Sequence, residues 1–523
     1  MDDLKQDLRF ALRTLAKNPG FTAVVVLTLA LGIGANTAIF TLMDQVLLRV
    51  LPVKDPERLV VLDAPGPNSG SSHNQSFNLT PISYPMYVDL RDKAEAFEGV
   101  LAHWRTPVHL SYKGATEQAD ADLVSGNFFD VLGVPAVLGR VFDADDDRTR
   151  DAHPLVVLSH GFWQRRFGSD PKIVGETVSI NGRPMTVVGV TRAGFHGIEV
   201  GSSSDLYVPI AMQETICPNW GGEVLSKRRV SWLSAMARLK PTVTLDQAKA
   251  STNVLYRQIL LDELSQMSTA RGRFKEEFPK KTLGLLPGAR GTSDLRGQSE
   301  TTLLVLMGMV GLVLLIACAN VANLLLARAS ARQREVAVRL AMGASRARLI
   351  RQFLVESVVL SLLGGLFGIV LSSWTASLLL QAEPGREAAR VFSADPDLRV
   401  AGFAMALSLL TGIVFGLVPA LQSTRPDLFP TLKSEGGNVV SGSQAFRFRK
   451  GLVIAQVALS LLLLIGAGLF TRSLMNLKSL DPGFKVDSVV AFIVDPALNG
   501  YGDARKNDLF KQIQEEIAIE PGV

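Results

Sequence analysis

The stretch "ARASARQREVAVRLAMGASRARLIR", residues 327–351, lies between two long apolar runs and decides how the rest of the chain is read. It holds seven arginines (Arg328, Arg332, Arg334, Arg339, Arg346, Arg348, Arg351) against one acid, Glu335. Positive charge concentrated in a short loop between membrane spans holds that loop on the cytoplasmic side. Glu335 precedes Arg339 by one helical turn, the favourable order for an i,i+4 pair, and Val336 and Leu340 share a face. Gly343 is a natural helix stop and Ser345 a natural cap for the next helix. The pattern predicts a short helix, a break, and a second helix leading into the membrane. A helix across the cytoplasmic mouth suits docking to a soluble partner. On spacing alone, a charged loop that only sets topology fits equally well.

Outward from this bend, the composition is that of a membrane protein with a large soluble part. Of 523 residues 47% are apolar, and the mean hydropathy is positive, +0.23. The net charge of +5 is modest, and its arginines gather at span ends. That is the signature of topology and phospholipid contact, not of nucleic-acid binding. A membrane-crossing helix needs about 20 apolar residues. Five runs qualify: 21–43, 301–327, 353–380, 400–421 and 451–471. The first is too long for a signal-peptide core of roughly 7–15 residues and is read as an uncleaved span. The predicted architecture is thus an α-helical membrane protein with an inserted α/β extracytoplasmic domain. Its parts are a cytoplasmic amphipathic helix (1–20), a first transmembrane segment (21–48), the inserted domain (49–300) and a three-span permease domain (301–421) carrying the bend 328–351. A cytoplasmic linker (422–450), a fifth span (451–471) and the start of a second extracytoplasmic domain (472–523) follow.

Residues 1–20 place Lys5, Arg9, Arg13 and Lys17 along one side of a helix beside a stripe of Leu4, Leu8, Leu12 and Leu15, as in a helix lying on a membrane surface. In the inserted domain, "RLVVL" and "PLVVLS" read as strands. "ETVSINGRPMTVVGV" reads as a hairpin about Asn181-Gly182, the preferred two-residue turn. "TLDQAKASTNVLYRQILLDEL" reads as a helix capped by Thr244. Near the end, "VVAFIVDPAL" reads as a strand and "DARKNDLFKQIQEEIAI" as a helix. One strand and one helix cannot enclose a core, so the chain is expected to be C-terminally truncated. In the spans, Gly32 and Gly34, Gly364 and Gly368, and Gly412 and Gly416 form small faces for close helix packing. "IGAGLFTRSLMNL" in span five parallels "GIGANTAIFTLMDQVLL" in span one, suggesting an internal duplication.

The string "REVAVRLAMGASRARLIRQFLVESVVLSLLGGLFGI" resembles the loop and following helix of the MacB/FtsX-type ABC transporter permease family. Arg334-Glu335, Arg339, Ala341, Gly343-Ala344, Gln352, Glu356 and Gly364-Gly365 carry the likeness. "VSGNFFDVLGVPAVLGRVFDADDD", "VVLSHGFWQRRFGSDPKIVGETVSINGRPMTVVGV" and "ARLKPTVTLDQAKA" resemble that family's periplasmic core, and are most similar to the duplicated (ADOP-type) permeases of acidobacteria. The resemblance implies an inner-membrane, multi-pass permease with a cytoplasmic N-terminus and a periplasmic domain. It implies a separate cytoplasmic ABC ATPase that binds the ATP and contacts a coupling loop at Arg334, Glu335, Arg339, Gly343 and Ala344. It also implies a second permease copy or duplicated half, contact with membrane lipids, and an extracytoplasmic protein partner. The expected function is export of small molecules, peptides or lipoproteins. The alternative is a non-transporting signalling scaffold acting on a partner such as a cell-wall hydrolase.

Other chemistry lacks its motif. The phosphate-cradling loop ends in Gly-Lys-Ser/Thr, and the sequence has no Gly-Lys pair, so no enzyme activity and no cofactor of its own are expected. HExxH and GxSxG are absent. The six histidines (His73, His103, His109, His153, His160, His196) lack zinc-ligand spacing, and His160 is expected to anchor a helix beside Trp163. The run Asp143, Asp145, Asp146, Asp147 lacks the glycine and closing glutamate of a calcium loop and is expected to be a solvated loop. Cys318 lies in an apolar run, so no disulfide with Cys217 is expected. No span carries a central Asp, Glu or Lys of the sort that marks proton-coupled transport. Asn36, Asn320 and Asn323 are expected to hydrogen-bond between helices or to the backbone.

Overall fold

The computed structural model describes residues 2–68, 70–75, 79–220, 223–267, 271–343, 345–382, 392–393, 395–423, 443–479, 494, 496 and 503–519. The strand expected at 489–498, the linker 424–442 and Ala344 therefore lie essentially outside the described residues. The chain divides into two compact units, one built of residues 1–47 and 298–489, the other of 48–297 and 490–523.

Among the described residues, five helices of the first unit are long and apolar enough to cross a membrane: Pro19–Leu48, Ser299–Ala329, Arg346–Leu378, Leu398–Leu421 and Lys450–Leu477. Most overrun the apolar stretches that mark them, because a backbone hydrogen-bond ladder does not stop where hydrophobicity does. Spans one and three meet through glycine. A Cβ on Gly34 would lie 2.9 Å from the Gly368 carbonyl oxygen, and one on Gly368 would lie 3.1 Å from the Gly34 nitrogen. A Cβ on Gly364 would strike Leu29, and one on Gly32 would touch Leu314 of span two. Gly412 and Gly416 of span four give the same close approach to Ser361 and Ser357 of span three. Asn36 donates both to the Gly32 carbonyl, one turn back, and to the Val310 carbonyl of span two, each at 2.8 Å. It therefore bridges two helices where lipid offers no partner. Asn323 departs from expectation: its Oδ1 is buried and accepts no hydrogen bond among the described residues. Beyond span one, Gln45 exchanges two hydrogen bonds with the backbone of Ser393.

The second unit is a mixed, mostly antiparallel sheet. Its strands are β1 (Leu59–Asp63), β2 (Ser71–Ser72), β3 (Ile82–Ser83), β4 (Phe97–Tyr112), β5 (Ala115–Val124), β6 (Ala136–Gly139), β7 (Leu155–Leu158), β8 (Thr177–Ile180), β9 (Arg183–Thr191), β10 (Leu206–Pro209), β11 (Val230–Leu239) and β12 (Gly284–Pro287). The main path runs β12-β1-β11-β4-β5-β10-β7-β9-β6. The strands of the inserted segment are joined in this one sheet, and the segment falls in one compact unit. One core cluster centres on Tyr87, Trp232 and Tyr256, and another on Phe128, Phe129 and Tyr207. The predicted hairpin is β8–β9, with Asn181 at φ 50° and Gly182 at φ 78°, the positive pair its two-residue turn demands. Helix Leu245–Ser265 begins with a reciprocal capping box between Thr244 and Gln247. Near the C-terminus, Asp503–Ile519 is helical.

The aspartate run is solvated only in part: Asp143 and Asp145 are exposed, but Asp146 and Asp147 are buried. Asp143 caps a short 3-10 turn, Asp146 takes a two-point ion pair from Arg140, and buried Asp147 accepts from the amides of Ala211 and Gly126. His160 opens the helix His160–Phe167 with its ring against Trp163.

Candidate functional site

The bend folds as a short helix, Gln333–Ala341, a break, and a long helix, Arg346–Ala382. The break is set by Gly343, whose φ of +92° costs any residue with a Cβ. Its amide returns to the Leu340 carbonyl at 3.0 Å. Ser345 caps the next helix by accepting from the Arg348 amide. Glu335 and Arg339 form the expected one-turn ion pair. Ala344 and the side chain of Arg334 lie outside what the structure describes.

The short helix has two unlike faces. Val336 and Ala337 are buried, at 3% and 2% exposure, whereas Val338 and Met342 are 50% and 75% exposed. Val338 and Met342 are one turn apart and so make a single outward apolar spot, with exposed Glu335 and Arg346 nearby in sequence. Arg339 faces the other way. Its guanidinium lies 5.5 Å from the ring of Phe10 in the N-terminal helix Asp2–Ala16, and it donates to Gln352.

That N-terminal helix is held by the arginines that follow the break. Arg351 pairs with buried Asp7 at 2.7 Å, and Arg348 donates to Gln6. Its protein-facing stripe is therefore Asp7, Ala11, Thr14 and Leu15, while Leu8 and Leu12 of the predicted leucine stripe remain exposed. The sequence carried no local sign of this, since Arg351 and Asp7 are 344 positions apart.

A second knot lies beside the first. Glu356, 5% exposed, forms an ion pair with Arg328 at 2.9 Å, and Arg332 stands 3.6 Å away. Arg328 also lies over the ring of Phe21, 4.4 Å from its centre, and reaches the Thr14 carbonyl. The start of span one, the end of span two and the start of span three are thereby tied at one point. In the sequence Glu356 stood only among the residues that carry the family resemblance, and nothing there paired it with Arg328 and Arg332.

The inserted domain holds a further polar centre. His103 Nδ1 lies 3.1 Å from Asp122, and both are buried. Burial alone would pull the imidazole down; Asp122 outweighs it and holds the group above its usual value. The His103 Nε2 atom has no partner among the described residues, and no cluster of three or more His, Cys, Asp or Glu suited to a metal occurs among them. Cys217 and Cys318 are free and buried.

Five candidate spans, close glycine packing and a braced arginine-rich bend, with a large sheet domain inserted between spans one and two, define a membrane permease. Residues 22–254 match the family described as "MacB-like periplasmic core domain", and residues 307–428 match "FtsX-like permease C-terminal". The chain belongs to the MacB/FtsX-type permease family. It is 31% identical over 318 residues to a protein of Pseudomonas entomophila (strain L48) named "Probable export ATP-binding/permease protein MacB", covering 61% of this chain and 42% of that one. It is 28% identical over 322 residues to the "Macrolide export ATP-binding/permease protein MacB" of Burkholderia thailandensis, covering 61% of this chain and 43% of that one. The periplasmic region of MacB from Actinobacillus actinomycetemcomitans aligns at 18% identity with a TM-score of 0.31, covering 41% of this chain and 94% of that one. The chain spans less than half the length of the curated relatives it matches.

Proposed function

We propose that this chain is the membrane permease subunit of an ABC-type export system. A separate cytoplasmic ATPase docks on the bend, and the movement of that docking is passed through the spans to the inserted domain. The observation that carries the reading is the two-faced helix Gln333–Ala341. One side is braced by Arg339 on Phe10 and Gln352, and the other leaves Val338 and Met342 uncovered. A rigidly held helix with an apolar spot is suited to receive a push, because displacement of the helix must move whatever it is tied to. Here it is tied to the N-terminal helix and span three. Arg334, Glu335, Arg339, Gly343 and Ala344 are the proposed coupling residues, with Arg339 positioning the helix and Val338 and Met342 meeting the partner. Hydrolysis is assigned to the partner, since this sequence has no Gly-Lys pair on which a phosphate loop could end. The cargo is proposed to be of the small-molecule, peptide or lipoprotein kind. The N-terminus and bend are placed in the cytoplasm and the inserted domain in the periplasm.

The test is co-purification from the native membrane with an ABC ATPase subunit. Val338→Glu together with Met342→Glu is expected to abolish recovery of the ATPase while membrane insertion is unchanged. Glu335→Ala with Arg339→Ala is expected to lower it strongly. Full recovery with both pairs changed would place the docking surface elsewhere.

A further inference from the structure

The N-terminal helix Asp2–Ala16 presents a surface that the coupling reading does not use. Its stripe of Asp7, Ala11, Thr14 and Leu15 is buried. At about 3.6 residues per turn, the next sector round the helix is Leu8 and Leu12, and the sector beyond is Lys5, Arg9 and Arg13. Leu8 and Leu12 are 44% and 49% exposed, and the three cations are exposed beside them. From Lys5 to Lys17 the sole acid is Asp7, and it is turned inward onto Arg351. Among the described residues, Lys5, Arg9 and Arg13 make no ion pair.

Two contacts fix the depth of this helix. Arg351, just before the apolar run 353–380, pairs with Asp7 at 2.7 Å. Arg328, just after the run 301–327, reaches the Thr14 carbonyl. The helix therefore lies where the apolar stretches of spans two and three meet water, the level of lipid headgroups. Only Lys17 and Asn18 separate it from span one, which tethers its end there. At that level exposed leucines gain by entering the acyl edge, while basic side chains hold their charges among phosphates. An acidic leaflet attracts each of those charges, and a neutral leaflet does not.

We propose that this face binds acidic phospholipid in preference to neutral lipid. Leu8 and Leu12 enter the edge of the acyl layer, and Lys5, Arg9 and Arg13 take headgroups of net negative charge. A protein covering the same face would have to set acids against three cations and would shield the leucines from lipid. The inference stands apart from the docking of an ATPase.

The test uses the full chain with Ala16→Cys, an exposed position one turn from Leu12 and Arg13. Both native cysteines are buried, so an NBD maleimide reports from this site. The labelled chain is placed in nanodiscs of one fixed mixture of phosphatidylcholine and phosphatidylglycerol. The same number of nitroxide-bearing acyl chains is carried by the acidic lipid in one set and by the neutral lipid in the other. The acidic set is expected to quench about twice as strongly, through local enrichment by the cations, and the difference should shrink in high salt. Lys5→Gln, Arg9→Gln and Arg13→Gln together should bring the two sets level. Lys5→Arg, Arg9→Lys and Arg13→Lys together should keep them apart. Leu8→Ser with Leu12→Ser should weaken quenching in both sets. Thermal unfolding of each variant separates loss of lipid contact from loss of fold. No ATPase is present, so failure here leaves the docking experiment standing, and failure there leaves this one standing. Equal quenching by the two sets with the cations intact, a preference that survives in the folded glutamine variant, or undiminished quenching in the leucine variant would overturn the proposal. Quenching by neither set would also overturn it and give the face to a protein or to water.

Discussion

Glu356 stands between two arginines and is the acid both of them pair with. Its own exposure is 5%, and the side chain of Arg328 is 14% exposed. Removing one member of a buried pair leaves the other uncompensated, which costs about 3–5 kcal/mol, whereas replacing both with apolar groups is often close to neutral. Glu356→Ala is therefore expected to lower the unfolding midpoint of the solubilised chain sharply, and Glu356→Leu with Arg328→Met to recover most of the loss. Equal midpoints for Glu356→Ala and the unaltered chain would show that the knot braces nothing. Glu263 behaves differently, because its environment opposes ionisation. Its folded-state value near 7 lies above the ordinary 4.5, so the unfolded chain gives up this proton first as pH rises. The stability this group contributes is whole below about 4.5, is lost between there and about 7, and changes no further above. In the domain 49–300, Glu263→Gln should flatten that part of the curve of urea midpoint against pH. Arg228 keeps Asp89 as its partner in that variant. A curve of unchanged slope would refute the assignment.

At the scale of elements, the spans are held by absent side chains. Gly34 faces Gly368 so closely that a methyl group at either must push two helices apart. Gly34→Ala is expected to destabilise the membrane unit by roughly 1–3 kcal/mol, the range for overpacking. Gly466→Ala in span five should be silent or slightly stabilising, since a Cβ there meets nothing within 4 Å and alanine is the better helix former. Unfolding midpoints of the two variants, measured together, test the contrast. Two of the glycine faces, Gly364 with Gly368 and Gly412 with Gly416, were legible in the sequence because their members are four residues apart. Gly365 was not singled out for packing, although a Cβ on it would strike Ser408 of span four. Nothing local marks a glycine whose partner lies 43 positions on. The hairpin at Asn181-Gly182 and the capped helix at Thr244 were legible for the same reason as the glycine pairs: their physics is local. The aspartate run was misread because its partners are not. Asp147 is buried by amides 21 and 64 positions away. The N-terminal helix shows the same limit, since periodicity found its amphipathic character but not which stripe meets protein.

For the whole molecule, the proposed function depends on which side of the membrane each part occupies, and loop charge predicts the arrangement. The bend carries seven arginines against one acid, and the loop 422–450 carries five basic residues against two acidic ones, while 381–399 has four acids and three arginines. Basic loops tend to stay in the cytoplasm, so the proposed topology has the N-terminus and bend inside and the inserted domain outside. Both native cysteines are buried, which leaves a low background for labelling. Lys172→Cys in the inserted domain and Ala347→Cys after the bend both fall at exposed positions. In spheroplasts, a membrane-impermeant maleimide should label the first at once and the second only after lysis. A thiol at 347 that reacts before lysis would put Val338 and Met342 on the same side as the inserted domain. A cytoplasmic ATPase could then reach neither, and the push from the bend to the inserted domain would have no source.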